Sequence, residues 1–85
     1  MARYLITYDL KDPGQNYERL IDRIKSCPGW AKICLSAYAV QSPKSAVQLR
    51  NELKSCLDQN DILFVCDFDN WASYNLSDEV SSWLG

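Results

Sequence analysis

Arg3-Tyr4-Leu5-Ile6-Thr7-Tyr8-Asp9-Leu10 is rich in β-branched and aromatic residues and carries apolar side chains on both alternating faces. Apolar residues on both sides of an extended segment mark a strand covered on both faces, which makes this stretch a central strand of a sheet. After it, Lys11-Asp12-Pro13-Gly14 has turn chemistry. Gln15 or Asn16 can then cap a helix in which Tyr17, Leu20, Ile21 and Ile24 recur at helical spacing. Glu18 in the first turn suits the helix dipole.

Cys27-Pro28-Gly29 stops that helix, and Trp30 to Ser36 followed by Ala37 to Gln41 reads as two strands folded closely on each other. No Asn-Gly turn fixes their register. Ser42 then serves as a cap with Pro43 at the first helical position, and Ala46, Leu49, Leu53, Cys56 and Leu57 form an apolar stripe. Asp58-Gln59-Asn60-Asp61 breaks this second helix, and Ile62 to Phe68 is a strand. The order β-α-β-β-α-β predicts an α+β, ferredoxin-like sandwich. Its four-stranded antiparallel sheet has strands one and three central, strand four beside strand one, and both helices on one face. Residues 1–85 read as one domain, with a core over 1–69 and a tail over 70–85 that packs on that core or on a dimer partner. In the tail, Trp71, Tyr74 and Leu76 precede a short helical pattern of Val80, Trp83 and Leu84 capped by Ser77.

The 85 residues are 47% hydrophobic and carry nine basic and eleven acidic side chains, a formal charge of −2. That composition is globular, the length excludes a multidomain enzyme, and the charge gives no overall attraction to polyphosphate. No apolar run approaches the ~20 residues of a membrane span, and Met1-Ala2-Arg3 leads straight into alternating residues rather than a signal-peptide core. The expectation is a soluble, cytoplasmic protein with no membrane partner. Four cysteines, Cys27, Cys34, Cys56 and Cys66, include no CxxC pair for zinc or redox work; they could make two disulfides, but reduced core filler is the favoured reading. Without any histidine, Ser-His-Asp and Cys-His chemistry is excluded, so catalysis would rest on carboxylates, a carboxylate-bound metal, tyrosine or cysteine.

Pairing strand one with strand four in the register Ile6–Phe64 also places Tyr4 opposite Cys66 and Tyr8 opposite Ile62 on one bulky apolar face. Arg3 then faces Asp67, Leu5 faces Val65, Thr7 faces Leu63, and Asp9 faces Asp61. Two short helices cover one sheet face, so the other needs a second cover: the tail, or a second copy of the chain.

Asp9 stands at the carboxyl end of the first strand, where loops of β-α units usually present functional groups. As a turn residue it would simply hydrogen-bond the backbone ahead. Asp61 adds a second carboxylate, and a carboxylate pair either binds a hard cation such as Mg2+ or raises a pKa; Asn60-Asp61 is equally a helix-to-strand turn. Asp67 reads as an ion-pair partner of Arg3. Arg19, Arg23 and Lys25 interleave with Glu18 and Asp22, as on a solvated helix face. Trp30, Tyr38, Trp71 and Tyr74 could stack on bases next to the positive charge of Lys32, or belong to core and interface.

Tyr4 to Leu10 resembles the opening strand of the CRISPR-associated Cas-two superfamily, and Leu35-Ser36-Ala37-Tyr38-Ala39-Val40 resembles its serine-centred element between strands two and three. Pro13-Gly14-Gln15-Asn16-Tyr17, Asn60-Asp61 and the tail from Trp71 to Trp83 are similar to the SinR-like branch, related to VapD-type proteins. The resemblance implies a ferredoxin-like homodimer. It implies that Asp9 of each subunit ligates Mg2+ for phosphodiester hydrolysis of RNA or DNA, as an endonuclease, with Asp61 supporting the metal and Tyr8 and Ser36 shaping the site. In other members the dimer is a scaffold, which leaves a non-catalytic binding module for a protein or nucleic-acid partner as the competing expectation. The chain departs from the nuclease pattern at Asp12 to Asn16 and at Lys32, and in its short helical tail.

Overall fold

The computed structural model describes residues 1–11 and 17–85. The elements are β1 (Ala2–Asp9), α1 (Tyr17–Lys25), β2 (Gly29–Cys34), β3 (Ala37–Ser42), α2 (Ala46–Lys54), β4 (Ile62–Asp67) and α3 (Asp78–Leu84). The fold is α+β, a four-stranded sheet in the order β2-β3-β1-β4 with every neighbouring pair antiparallel. β1 is therefore central and β4 is an edge strand beside it.

Alternation along β1 sends Tyr4, Ile6 and Tyr8 to one face, where they are buried with Tyr38 and Val40 of β3, Leu20 and Ile24 of α1, and Leu49 and Leu53 of α2. This is the core, with both helices over it. Tyr4 reaches its rim and its hydroxyl donates to the Lys44 carbonyl at 2.6 Å, which satisfies a polar tip at the end of an apolar ring. Tyr17, at the start of α1, is exposed rather than part of the buried stripe. The caps expected at Gln15 or Asn16, and the turn through Asp12-Pro13-Gly14, lie outside the described residues.

α2 begins later than its sequence suggests. Ser42 is the last residue of β3, its hydroxyl accepting from the Lys44 amide, and the N-cap is Ser45. Ser45 and Gln48 form a reciprocal capping box, each side chain accepting from the other's backbone amide, which satisfies two helix-end donors where Ser42 would satisfy one. The helix ends at Lys54, so Cys56 and Leu57 follow it; Cys56 nevertheless stays buried against the core. Leu35 and Ser36 form the turn between β2 and β3 rather than extending β2. Cys34, at the end of β2, is exposed, so it is not a core filler; all four cysteines are free.

The register of β1 on β4 differs by one residue from the expected one. Ile6 lies opposite Val65, Tyr4 opposite Asp67, Leu5 opposite Cys66, Thr7 opposite Phe64, Tyr8 opposite Leu63 and Asp9 opposite Ile62. β4 is apolar from Ile62 to Cys66, so alternation along it does not choose between the two registers. The turn before it does: the Asp61 carboxylate accepts from the Lys11 amide at 3.0 Å and the Asp58 amide at 2.8 Å, holding the start of β4 to the end of β1. In consequence Leu63 and Val65 pack on the core, whereas Ile62, Phe64 and Cys66 join Leu5, Thr7 and Asp9 on the opposite face.

Part of that opposite face is covered by the tail. Ser77 caps α3, accepting from the Val80 amide. Trp83 of α3 lies close to β2: a Cβ on Gly29 would meet its ring at 3.2 Å and the end of the Gln41 side chain at 2.9 Å, so the tail packs tightly there. Arg3 is not paired with Asp67. Its guanidinium donates to the Leu84 carbonyl at 2.6 Å and the Asp69 carbonyl at 2.8 Å and lies 5.1 Å from the Phe68 ring centre. One side chain thus clamps both ends of the tail, and the slipped register frees it to do so.

Candidate functional site at the carboxyl end of the first strand

The end of β1, the β2–β3 turn and the start of β4 meet at one end of the sheet. Asp9 is the last residue of β1, on the face opposite the core helices, with its side chain 61% exposed. Lys11 donates its ammonium to the Asp9 carboxylate at 2.6 Å and its backbone amide to Asp61. Lys11 therefore stands between the two carboxylates that the sequence pointed to, and sequence reading passed over it. Its signal was a lysine two positions after Asp9, which is the strand spacing but falls beyond the end of β1.

Asp61 is partly buried, and two backbone amides converge on its carboxylate, one from each side of the junction. Ser36 reaches this end through its backbone: its carbonyl accepts from the Tyr8 amide at 3.1 Å. The Tyr8 side chain points the other way, into the core between sheet and helices, because successive residues of a strand face opposite sides. Burial raises the Tyr8 phenol above its ordinary pKa, with Tyr38 and Tyr17 adding to the effect, so Tyr8 holds its proton at neutral pH. Asp9, Asp61 and the Ser36 backbone are thus brought to one end, and the Tyr8 ring is not on their side.

A hard cation takes about six oxygen ligands. Asp9 receives the Lys11 ammonium, and Asp61 accepts from two backbone amides. Among the described residues, no three Asp, Glu, Cys or His side chains gather as a group able to hold a metal. What the arrangement does locally is join β1 to β4.

The other charged and aromatic candidates separate. Glu52 of α2 receives Lys44 and Arg23, linking α1 to α2. The hydrogen bond from Lys44 is the main reason its carboxyl titrates below the ordinary value. Lys25 sits 4.7 Å from the Trp30 ring centre, and Trp30 in turn lies 6.2 Å from Tyr38, which is buried and closed to a stacked base. Tyr74, by contrast, is almost wholly exposed. Among the described residues, no helix is long and apolar enough to cross a membrane.

The uncovered part of the sheet is apolar. Ile62 is 54% and Phe64 58% exposed, beside partly buried Leu5 and Thr7, and acidic Asp61 and Asp67 flank the strand that carries them. The chain matches no family model, no curated protein and no solved structure.

Proposed function

We propose that this chain is a cytoplasmic, Cas-two-like protein of ferredoxin-like fold that works as a homodimer and serves as a non-catalytic scaffold or binding module. The single observation that carries the reading is the half-covered sheet. The tail closes over β2, β3 and the start of β1, yet Ile62 and Phe64 remain more than half exposed on an edge strand. A small domain gains stability by burying such a strip, and a twofold contact presents the same apolar surface from both sides. Charge disfavours nucleic acid as the direct occupant of the strip. Asp9 lies opposite Ile62 on the same face, and the nearby cations Arg3 and Lys11 are engaged with the tail and with Asp9.

Sedimentation equilibrium of the wild-type chain and of Phe64→Asp tests the reading. A concentration-dependent dimer that the substitution dissociates supports it, and a wild-type chain that stays monomeric at high concentration overturns it.

A second reading, a Mg2+-dependent endonuclease, is favoured by the position of Asp9 on that same open face, where a twofold contact would bring the two copies' carboxylates toward each other. Incubating the dimer with RNA and DNA in Mg2+ separates the two. Cleavage lost in Asp9→Asn supports the nuclease, and absence of cleavage across substrates and divalent metals supports the scaffold.

A further inference from the structure

Tyrosine and cysteine aside, Ser42 is the one buried residue with a polar side chain among the described residues, and it lines a cavity. Alternation along β3 sends its side chain to the helical side of the sheet, with Tyr38 and Val40. Its hydroxyl accepts from the Lys44 amide at 3.1 Å, but among the described residues it donates its own proton to no acceptor. A buried donor without an acceptor is costly, and such groups nearly always meet a partner. That partner has to come from the cavity.

The cavity measures ≈ 190 Å3 and lies between the end of α1, the link from Ser42 to Lys44, and α2. Leu49, Leu53, Pro28 and Pro43 give it apolar walls. The Cys27 thiol also lines it and stays uncharged at neutral pH, because burial first and the Glu52 carboxylate second push its pKa up. Glu52 receives Lys44 and, at 3.4 Å, Arg23, and all three line the same cavity. At 3.4 Å Arg23 is held loosely, and a guanidinium has five N–H donors to give. Two cations against one carboxylate leave a net positive charge here. Beyond Arg23, Arg19 and Asp22 carry opposite charges along a neighbouring groove and do not change that balance.

Water alone fits this space poorly, since an ordered water needs two to four polar partners and the leucine and proline walls supply none. A cavity of roughly 150 Å3 accepts benzene, so this one admits a ring of that size or a short chain. Every polar group still able to bond, the Ser42 hydroxyl, Lys44 and Arg23, is a donor. Such a set suits an anion, and the apolar walls suit one with a hydrocarbon body. We infer that the cavity binds a small organic carboxylate, its hydrocarbon body against Leu49 and Leu53 and its carboxylate taking the Ser42 proton beside Lys44 and Arg23. The site lies across the sheet from the open strip, so it stands or falls independently of the homodimer proposed above.

Titration of the isotope-labelled full chain with sodium benzoate, followed through its backbone amide resonances, tests the inference. Saturable shifts centred on Cys27, Ser42 and Lys44 are expected, with a dissociation constant of about 0.1–1 mM. Benzyl alcohol, of the same size but neutral, and inorganic phosphate should each bind at least about tenfold more weakly. Lys44→Gln, at an exposed position that leaves the fold intact, and Ser42→Ala should each weaken benzoate by about threefold to tenfold. Glu52→Gln removes the competing carboxylate and should tighten it. Benzoate should also slow alkylation of Cys27 by iodoacetamide while leaving exposed Cys34 unaffected. The inference is overturned by the absence of saturable shifts at these positions, which leaves only water in the cavity, or by a benzoate affinity that neither Lys44→Gln nor Ser42→Ala changes. Phosphate or benzyl alcohol binding as tightly as benzoate overturns it equally.

Discussion

On one face of the sheet, Tyr4, Ile6 and Tyr8 of β1 lie buried under two helices, whereas on the other Leu5, Thr7 and Asp9 of the same strand share their surface with Ile62 and Phe64, both more than half exposed. The helical cover is regular. α1 and α2 each bring an apolar stripe at the period that matches a flat sheet surface, and the core they close includes two fully buried isoleucines, Ile6 and Ile24. The opposite cover is a clamp. A seven-residue helix and an irregular strap are held by the Arg3 guanidinium; they bury Ala31, Ala39 and Leu84 and leave a cavity beside Leu5. One face thus serves stability, and the other leaves apolar surface and space for an interaction.

Substitutions along β1 and β4 should split the two faces most sharply. Ile6→Ala, in the closed core, should cost about 2–5 kcal/mol in urea unfolding, since the cavity it leaves is walled by side chains fixed on both helices. Phe64→Ala, measured at concentrations where the chain is monomeric, should change stability by less than about 0.5 kcal/mol. Equal losses at the two positions would break the comparison.

The clamp comes next. Arg3→Met keeps apolar bulk over Phe68 but removes both carbonyl hydrogen bonds, and should cost about 1–3 kcal/mol. Its particular signature is a red-shifted fluorescence as Trp71 and Trp83 leave the sheet, with the helical face unchanged. If the emission keeps its wild-type maximum, the tail is held by packing alone.

Acid should act through the helical face. Glu52 titrates below its ordinary value of 4.5, first because Lys44 donates to it. A depressed folded-state pKa gives stability that is fully present above pH 4.5 and is lost as the pH falls through the lower, folded value. Urea midpoints measured from pH 6 downward should therefore fall below 4.5 in the wild type and fall less steeply in Glu52→Gln. The smallest effect belongs to Asp9→Asn. Asp9 and Lys11 are both half exposed or more, and such a pair contributes no more than about 1 kcal/mol, so the melting temperature should barely move.

How much of this was legible in the sequence differs between the faces in the same way. The order of elements, the buried residues of α1 and the Ser77 cap of α3 follow from local pattern, because each depends on residues within a few positions of one another. The start of α2 was displaced from Ser42 to Ser45, since Ser42-Pro43 and Ser45 to Gln48 are both good helix-start signals and only the second closes a reciprocal box. Asp9, Asp61 and the Ser36 backbone lie at one end of the sheet, but Asp9 pairs with Ile62 rather than with Asp61 as the sequence suggests. Lys11 and the outward-facing Tyr74 were not assigned their surroundings. The Tyr8 side chain, expected to help shape the site, lies on the other side of the sheet, because a strand sends neighbours to opposite faces.

By itself the sequence determined the strands and helices, the exclusion of histidine chemistry and the need of the sheet's second face for a cover. Tertiary structure alone decided the β1–β4 register, because a continuously apolar strand pairs equally well in two registers until a turn pins it, here through Asp61. That one-residue choice moved Phe64 and Ile62 out of the core and released Arg3 from Asp67 to clamp the tail. Side-chain period in a strand is two residues, so the smallest possible slip exchanges the buried and exposed sets completely.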